Sequence, residues 1–201
     1  LSWVMMTIFG SLPFYLYGGP FENYIDAFFE SISGLTTTGA TILAFEDYSA
    51  IPRGLMFWRS FIQFIGGIGI IVFSIAILPL MGFGGVQLFR AEVAGPVADK
   101  LTPRVKQTAT LLWTIYFGLI IIQTIVLMIE GLTFYDSITH SFTTIATAGF
   151  STNPNSIGAY QPIVQYTIVL FMIIAASSFS LHYLAIRRGR VEYFKDREFK
   201  V

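Results

Sequence analysis

Two short segments rich in threonine and glycine are the parts of this sequence best suited to binding an ion. The first is TTTGAT at residues 36–41 and the second is ATAGFS at residues 146–151. A glycine among small residues lets the backbone adopt left-handed angles, and carbonyl oxygens turned toward one axis can replace the hydration shell of a cation. The sequence therefore predicts a cation filter built mainly from backbone carbonyls, with these candidate metal-binding residues: Thr36, Thr37, Thr38, Gly39, Ala146, Thr147, Ala148 and Gly149.

The two segments are related by a constant offset of 110 residues that extends upstream without a gap. Equal spacing over a whole segment indicates an internal repeat, whereas a single threonine–glycine turn is also typical of an ordinary loop. The repetition, more than either turn alone, favours the filter. The identical pairs are Asp26 and Asp136, Ser31 and Ser141, Thr37 and Thr147, and Gly39 and Gly149.

Each turn follows a short stretch with a helical apolar face that cannot cross a bilayer. The pattern predicts re-entrant pore helices over about residues 26–36 and 136–146, a form tolerated at membrane depth where it is enclosed by protein or lines a watery cavity. Asp26 and Asp136 are expected to cap the helix starts. At the other end, the negative pole and the unpaired carbonyls of each helix should favour a desolvated cation.

The composition requires a membrane around these helices. The chain has 201 residues, of which 54% are hydrophobic and 12% charged, and its mean hydropathy is +0.68. Runs without a charged side chain cover residues 1–21, 60–89, 107–129 and 137–186, each longer than the roughly 18 residues that span a bilayer. The sequence therefore predicts an all-α transmembrane protein.

The segments fit two tandem membrane-pore-membrane repeats with a K⁺-channel-like plan. Because the chain opens on Leu1 within an apolar run, we expect it to be a fragment or partial sequence. The expected order is a first repeat, truncated at its N terminus, over 1–90; a cytoplasmic connector over 91–106; a second repeat over 107–190; and a cytoplasmic tail over 191–201 that leads toward a missing third repeat. The full spans are expected from Pro52 to about 79, over 107–129, and over 162–186.

Basic residues predict the orientation. Ten of the twelve Lys and Arg residues lie in segments 90–106 and 187–201, which the positive-inside rule places in the cytoplasm. The turns then face outward, where seven acids against Arg53 and Arg59 give a net charge of −5 that concentrates cations. Arg59 is expected to snorkel to the interface or to pair with Glu46 or Asp47.

Other candidate features favour structural roles or remain open. His140 and His182 are more typical of packing residues, and Gly66, Gly67 and Gly69 are more typical of close helix contact than of a hinge. The connector is either a simple linker or a docking site for a soluble regulator. The sequence lacks cysteine, an HExxH motif and a nucleophile with a base, so no catalytic residue or organic cofactor is predicted and the protein is not expected to be an enzyme. Zero net charge indicates no nucleic-acid partner.

Further motifs carry a family resemblance. They are DAFFES at 26–31 leading into GLTTTGAT at 34–41, GGIGI at 66–70 with AILP at 76–79, GGVQL at 84–88 with RAE at 90–92, and HSF at 140–142 continuing to GFST at 149–152. With these motifs the chain resembles the Trk/Ktr/HKT superfamily of potassium transporters, most closely the membrane subunit of bacterial Trk-type potassium uptake systems. It matches the first two of that family's four repeats.

The resemblance implies a function and an assembly. In this family each repeat contributes one filter glycine to a pseudo-fourfold pore, which implies K⁺ uptake across the inner cell membrane, with Na⁺ as a second candidate ion. It also implies a cytoplasmic nucleotide-binding regulatory subunit and a homodimer. The alternative is a non-conducting membrane scaffold or a partner subunit of another pore. A repeated polar turn at membrane depth argues against that alternative.

Overall fold

Short helices that end in turns, placed between long apolar helices, define the architecture. The computed structural model describes residues 2–77 and 98–177, and these ranges contain α-helices but no β-strand. The helices are α1 (Ser2–Tyr17), α2 (Tyr24–Leu35), α3 (Asp47–Ala50), α4 (Arg53–Ile77), α5 (Ala98–Ile129), α6 (Phe134–Ile145) and α7 (Pro162–Ala176). Two 3₁₀ turns, Gly19–Phe21 and Ser156–Ala159, precede α2 and α7.

The long helices lie close to the predicted spans. α4 begins directly after Pro52. α7 begins at Pro162 and ends at Ala176, with Ser177 as its C-cap residue. α5 is longer than its predicted span, because it begins at Ala98 and has Pro103 inside it. Pro103 therefore lies within a helix, in the segment where the connector was expected. Among the described residues, the part of α5 over 109–129 is the helix that is long and apolar enough to cross a bilayer by itself.

The two short helices start where polar caps satisfy free backbone N–H groups. The side chain of Asn23 accepts a hydrogen bond from the backbone N–H of Ile25 at 3.1 Å, and the hydroxyl of Thr133 accepts one from that of Asp136 at 3.1 Å. The prediction that Asp26 and Asp136 are the caps is wrong, because both lie inside the first helical turn. The true caps obey the same 110-residue offset, and each contributes about 1 kcal/mol.

The chain divides into two compact units. The first consists of residues 1–67 and 118–177 and contains α1, α2, α3, α6 and α7, with the part of α4 up to residue 67 and the part of α5 from residue 118. One apolar core in this unit joins α1, α2 and α4 and includes Phe14, Ala27, Leu35 and Ile62. Leu127, Val164 and Ile168 form another core cluster beside α7. The second unit consists of residues 68–117 and 178–201, and its described parts are helical.

Gly66 is the point at which α4 lies against the end of α2. A Cβ atom at this position would overlap the backbone carbonyl oxygen of Leu35. Backbone packing of this kind requires a residue without a side chain. The expectation of close helix contact at Gly66, rather than a hinge, therefore agrees with the structure.

Candidate ion-conducting site

The two predicted filter turns have matching backbone conformations. Thr36 and Ala146 occupy the C-cap positions of α2 and α6. The next residue is left-handed in both turns, with φ of 54° at Thr37 and 52° at Thr147. Gly39 and Gly149 also have positive φ, at 76° and 100°. The positive φ at the glycines was predicted. The left-handed threonines were not, because a β-branched residue pays a steric cost in this region.

Hydrogen bonds close the end of each short helix. The backbone N–H of Thr38 donates to the carbonyl of Ser33, and that of Ala148 to the carbonyl of Thr143, both at 2.9 Å. The expectation that the last carbonyls of both helices are unpaired is therefore wrong for Ser33 and Thr143. In the turns themselves, the carbonyl oxygens of residues 36–39 and 146–149 accept no hydrogen bond from the described part of the chain. Free acceptors are thus concentrated in the turns rather than in the helices.

The turns are brought together at Gly39. A Cβ atom on Gly39 would overlap the backbone carbonyl oxygen of Ala148, whereas one on Gly149 would meet no atom within 4 Å. The first turn therefore lies directly against the second, with backbone facing backbone. The structure thus brings the two sets of predicted residues together at this contact. It also distinguishes the two glycines, which were equivalent in the sequence.

A buried ion pair stands behind the first turn. Glu30 is 0% exposed and Arg59 is 2% exposed, and the Nε of Arg59 donates to Oε1 of Glu30 at 2.5 Å. The same carboxylate accepts hydrogen bonds from the hydroxyl of Thr41 at 2.9 and 3.1 Å and from the backbone N–H of Ile42 at 3.2 Å. Glu30 therefore fixes the segment that leaves the first turn.

This pairing corrects the prediction for Arg59. Arg59 neither snorkels to the interface nor pairs with Glu46 or Asp47. The carboxylate of Asp47 instead accepts the backbone N–H of Ala44 at 2.7 Å. A charge inside an apolar helix is expensive without a partner. This cost was the sequence signal that Arg59 has a buried acidic partner. The structure identifies that partner as Glu30 in α2.

Arg59 also reaches the second turn. Its Nη1 donates to the carbonyl of Ser151 at 2.9 Å, and its guanidinium lies 3.7 Å from the ring centroid of Phe150. One helical turn further along α4, Oε1 of Gln63 accepts the backbone N–H of Phe150 at 3.2 Å. Two side chains of α4 therefore hold the second turn just after its glycine.

The second short helix uses neutral side chains where the first uses a carboxylate. His140 occupies the position of Glu30 in the repeat and is buried, with Nε2 3.2 Å from the hydroxyl oxygen of Tyr160. Burial raises the pKa of Tyr160, and the negative charge of Asp136 raises it further, so the phenol stays neutral. The carboxylate of Asp136 accepts the hydroxyl of Thr152 at 3.2 Å. These contacts agree with the packing role expected for His140.

The net charge of the predicted outer face is the same as expected, but the residues that contribute to it are different. Glu30 and Arg59 are buried and neutralise each other. Six acids then remain against Arg53, so the net charge is again −5. These acids are exposed or half-buried: Glu22, Asp26, Glu46, Asp47, Glu130 and Asp136.

Several predicted features lie outside the described residues. They are His182, the GGVQL motif at 84–88, the basic residues at 187–200 and the final part of the 162–186 span. Within the described ranges, no group of three or more His, Cys, Asp and Glu side chains could hold a metal ion. The carbonyl oxygens of the two turns remain the ion ligands that the sequence predicts.

Comparison with known proteins gives a consistent result. The family model TrkH, described as cation transport protein, matches residues 2–200. The Trk system potassium uptake protein TrkH of Vibrio parahaemolyticus is 45% identical, with 100% of this chain aligned to 42% of the relative. The protein of the same name in Escherichia coli K12 is 43% identical over the same shares of the two chains.

A solved structure supports the fold. The crystal structure of the potassium transporter TrkH from Vibrio parahaemolyticus matches with a TM-score of 0.84 and 38% identity, covering 100% of this chain and 40% of that one. The predicted fold class, an all-α membrane transporter, is confirmed. The family resemblance is confirmed as well, and the chain spans about two fifths of the length of its relatives. This share fits two of four repeats.

Proposed function

Because the chain belongs to the TrkH family of cation transport proteins, we propose that it forms two walls of a K⁺ uptake pathway across the inner cell membrane. One observation carries the proposal. Two turns with matching backbone angles lie against each other and present carbonyl oxygens that have no hydrogen-bond donor among the described residues. Carbonyl oxygens that face a common axis are the ligands that replace water around a permeating cation.

The mechanism is ion dehydration followed by conduction, without covalent chemistry or an organic cofactor. K⁺ exchanges water for carbonyl oxygens of residues 36–39 and 146–149, while the C-terminal poles of α2 and α6 favour its positive charge. One glycine in each turn gives a shorter column of oxygens than a potassium-channel filter. Na⁺ is therefore expected to permeate as the less favoured ion.

Flux through the natural full-length protein tests this proposal. The protein is reconstituted into liposomes, and uptake of radiolabelled Rb⁺ is measured with K⁺ or Na⁺ as competitor. Saturable uptake that K⁺ inhibits more strongly than Na⁺ is the expected result. Empty liposomes are the control. Absence of uptake by folded protein would overturn the proposal in favour of a non-conducting scaffold.

The orientation places residues 90–106 and 187–201 in the cytoplasm and the two turns toward the outside. It is supported by the distribution of basic residues and by the six acids in the sequence segments that flank the turns. The test introduces single cysteines by Ser49→Cys and Ala98→Cys and applies a membrane-impermeant thiol reagent to intact cells. Only the cysteine at position 49 should react. Reaction at position 98 alone would reverse the orientation.

The assembly is proposed from the family. Relatives carry the words Trk system in their names, which suggests a system of more than one component. We expect a homodimer that binds a cytoplasmic nucleotide-binding regulatory subunit. Mass spectrometry of the intact protein released from detergent should give the mass of two chains, and the mass of one chain at all concentrations would contradict the dimer.

A further inference from the structure

We propose that Glu30, Arg59 and Gln63 are positioning residues that fix the spacing between the two filter turns and thereby set ion selectivity. The inference rests on the proposed function and adds residues that do not line the ion path. Glu30 belongs to α2, while Arg59 and Gln63 belong to α4. Together they contact both turns at the point where each leaves its glycine.

The contacts form one continuous connection. The first turn is held through Thr41 and Ile42, whose hydroxyl and backbone N–H donate to the carboxylate of Glu30. Glu30 is held by the Nε of Arg59, and the Nη1 of the same guanidinium holds the carbonyl of Ser151. Because a guanidinium is planar and rigid, two of its nitrogens fix the two turns at one separation.

Gln63 adds a second hydrogen-bonded contact to the second turn. It accepts the N–H of Phe150, while Arg59 takes the carbonyl of Ser151 and covers the ring of Phe150. The polypeptide between Gly149 and Thr152 therefore cannot shift without breaking a buried contact. A shift there would move the carbonyls of the second turn, since Gly149 itself has open space around it.

The side chains that make this connection all belong to the first repeat. In the 110-residue repeat, Arg59 corresponds to Val169 and Gln63 to Ile173, and both of these side chains are exposed. Glu30 corresponds to His140, which contacts Tyr160 in its own repeat. At these two positions α7 therefore lacks the charged and amide groups that α4 uses. The connection is a specific addition to the first repeat rather than a general requirement of the repeat fold.

Simple packing does not explain this connection. An ion pair enclosed at membrane depth must recover a large desolvation cost, and apolar side chains of similar size often give equal or greater stability. What the ion pair adds is direction, because its hydrogen bonds specify where two backbone segments lie. A role in position predicts a change in selectivity that is separable from a change in stability.

The test uses three variants of the natural full-length protein. Arg59→Lys keeps the charge but removes the two-nitrogen fork. Glu30→Gln combined with Arg59→Gln removes both charges and leaves no lone buried ion. Gln63→Met removes only the acceptor for the N–H of Phe150, and it introduces no charge. The matched control is Arg53→Gln, since Arg53 lies at the outer start of the same helix and is exposed.

The readouts are the ratio of Rb⁺ to Na⁺ uptake in liposomes and the melting temperature in detergent. In Arg59→Lys and the double variant, the ratio should fall by about 2-fold to 30-fold, the range expected for coupling through a packed network, while Rb⁺ uptake persists. Gln63→Met should change the ratio in the same direction by a smaller factor. Arg53→Gln should keep the wild-type ratio.

The outcomes separate this inference from the proposed function. Wild-type protein that transports neither ion would refute the proposed function itself. A conducting wild type with an unchanged ratio in folded variants would refute the positioning role. If both charge variants fail to fold, Gln63→Met decides, because it leaves the ion pair intact; a wild-type ratio in this variant would overturn the proposal.

Discussion

Replacing each filter glycine by alanine distinguishes two positions that the sequence makes equivalent. Gly39 and Gly149 both have positive φ, so a Cβ atom is strained at either position. Only at Gly39 would the new atom also overlap a backbone oxygen, that of Ala148 in the other turn. We expect Gly39→Ala to reduce K⁺ selectivity much more than Gly149→Ala.

The magnitude follows from two costs. Left-handed backbone costs an L-residue roughly 1–2 kcal/mol, and this cost applies to both variants. Overpacking adds about 1–3 kcal/mol, and this applies at Gly39 alone. The Cβ overlap is with backbone, so a side-chain rotation cannot relieve it and the two turns must separate. If the cost of separation appears in the preference for K⁺ over Na⁺, selectivity falls by about 5-fold to 150-fold.

The assay measures the ratio of Rb⁺ to Na⁺ uptake in liposomes, together with the melting temperature of each variant. Gly158→Ala is the matched control, because Gly158 is exposed in the 3₁₀ turn that precedes α7, where a Cβ atom would meet nothing within 4 Å. It should behave as wild type. An equal or larger loss of selectivity in Gly149→Ala, or an unchanged ratio in folded Gly39→Ala, would refute the proximity argument.

Three further predictions concern packing, capping and charge. Gly66→Ala should lower the melting temperature, because its Cβ overlaps the carbonyl of Leu35, whereas Gly54→Ala, with open space around Gly54, should not; equal melting temperatures would contradict the contact. Thr133→Ala should destabilise by about 1 kcal/mol through loss of the helix cap, measured by chemical unfolding in detergent. Glu46→Gln should reduce uptake at low K⁺ and low ionic strength but not at high salt, where charge is screened; a salt-independent loss would instead indicate a structural role.

The repeat pattern explains why the short helices could be located from sequence. The predicted pore helices over about 26–36 and 136–146 differ by one or two residues from Tyr24–Leu35 and Phe134–Ile145. Apolar periodicity defines a helical face, and a glycine–threonine segment marks its end. The predicted caps were wrong because an acid is favourable anywhere in the first helical turn, and Asp26 and Asp136 lie in that turn without being the cap residues.

Pairing across the fold is not encoded in a local pattern. Glu30 and Arg59 are 29 residues apart, and Arg59 and Ser151 are 92 apart. The charge at position 59 required a partner, but Glu46 and Asp47 were nearer in the chain and on the predicted outer side. Periodicity identifies the face on which a residue lies, whereas the depth at which two helices cross depends on packing such as that of Gly66 against Leu35.

The difference between Glu30 and His140 shows how two turns of similar backbone conformation are supported in different ways. Both turns need a left-handed threonine and a glycine with positive φ, and their sequences share these residues at the same spacing. The residues behind the turns differ, because each turn has different neighbours. The first turn is tied through an ion pair to the second, while the second is tied through His140 and Asp136 to the loop that precedes α7. The backbone conformation of the turns is therefore repeated together with its sequence pattern, whereas the contacts that hold each turn are specific to each repeat.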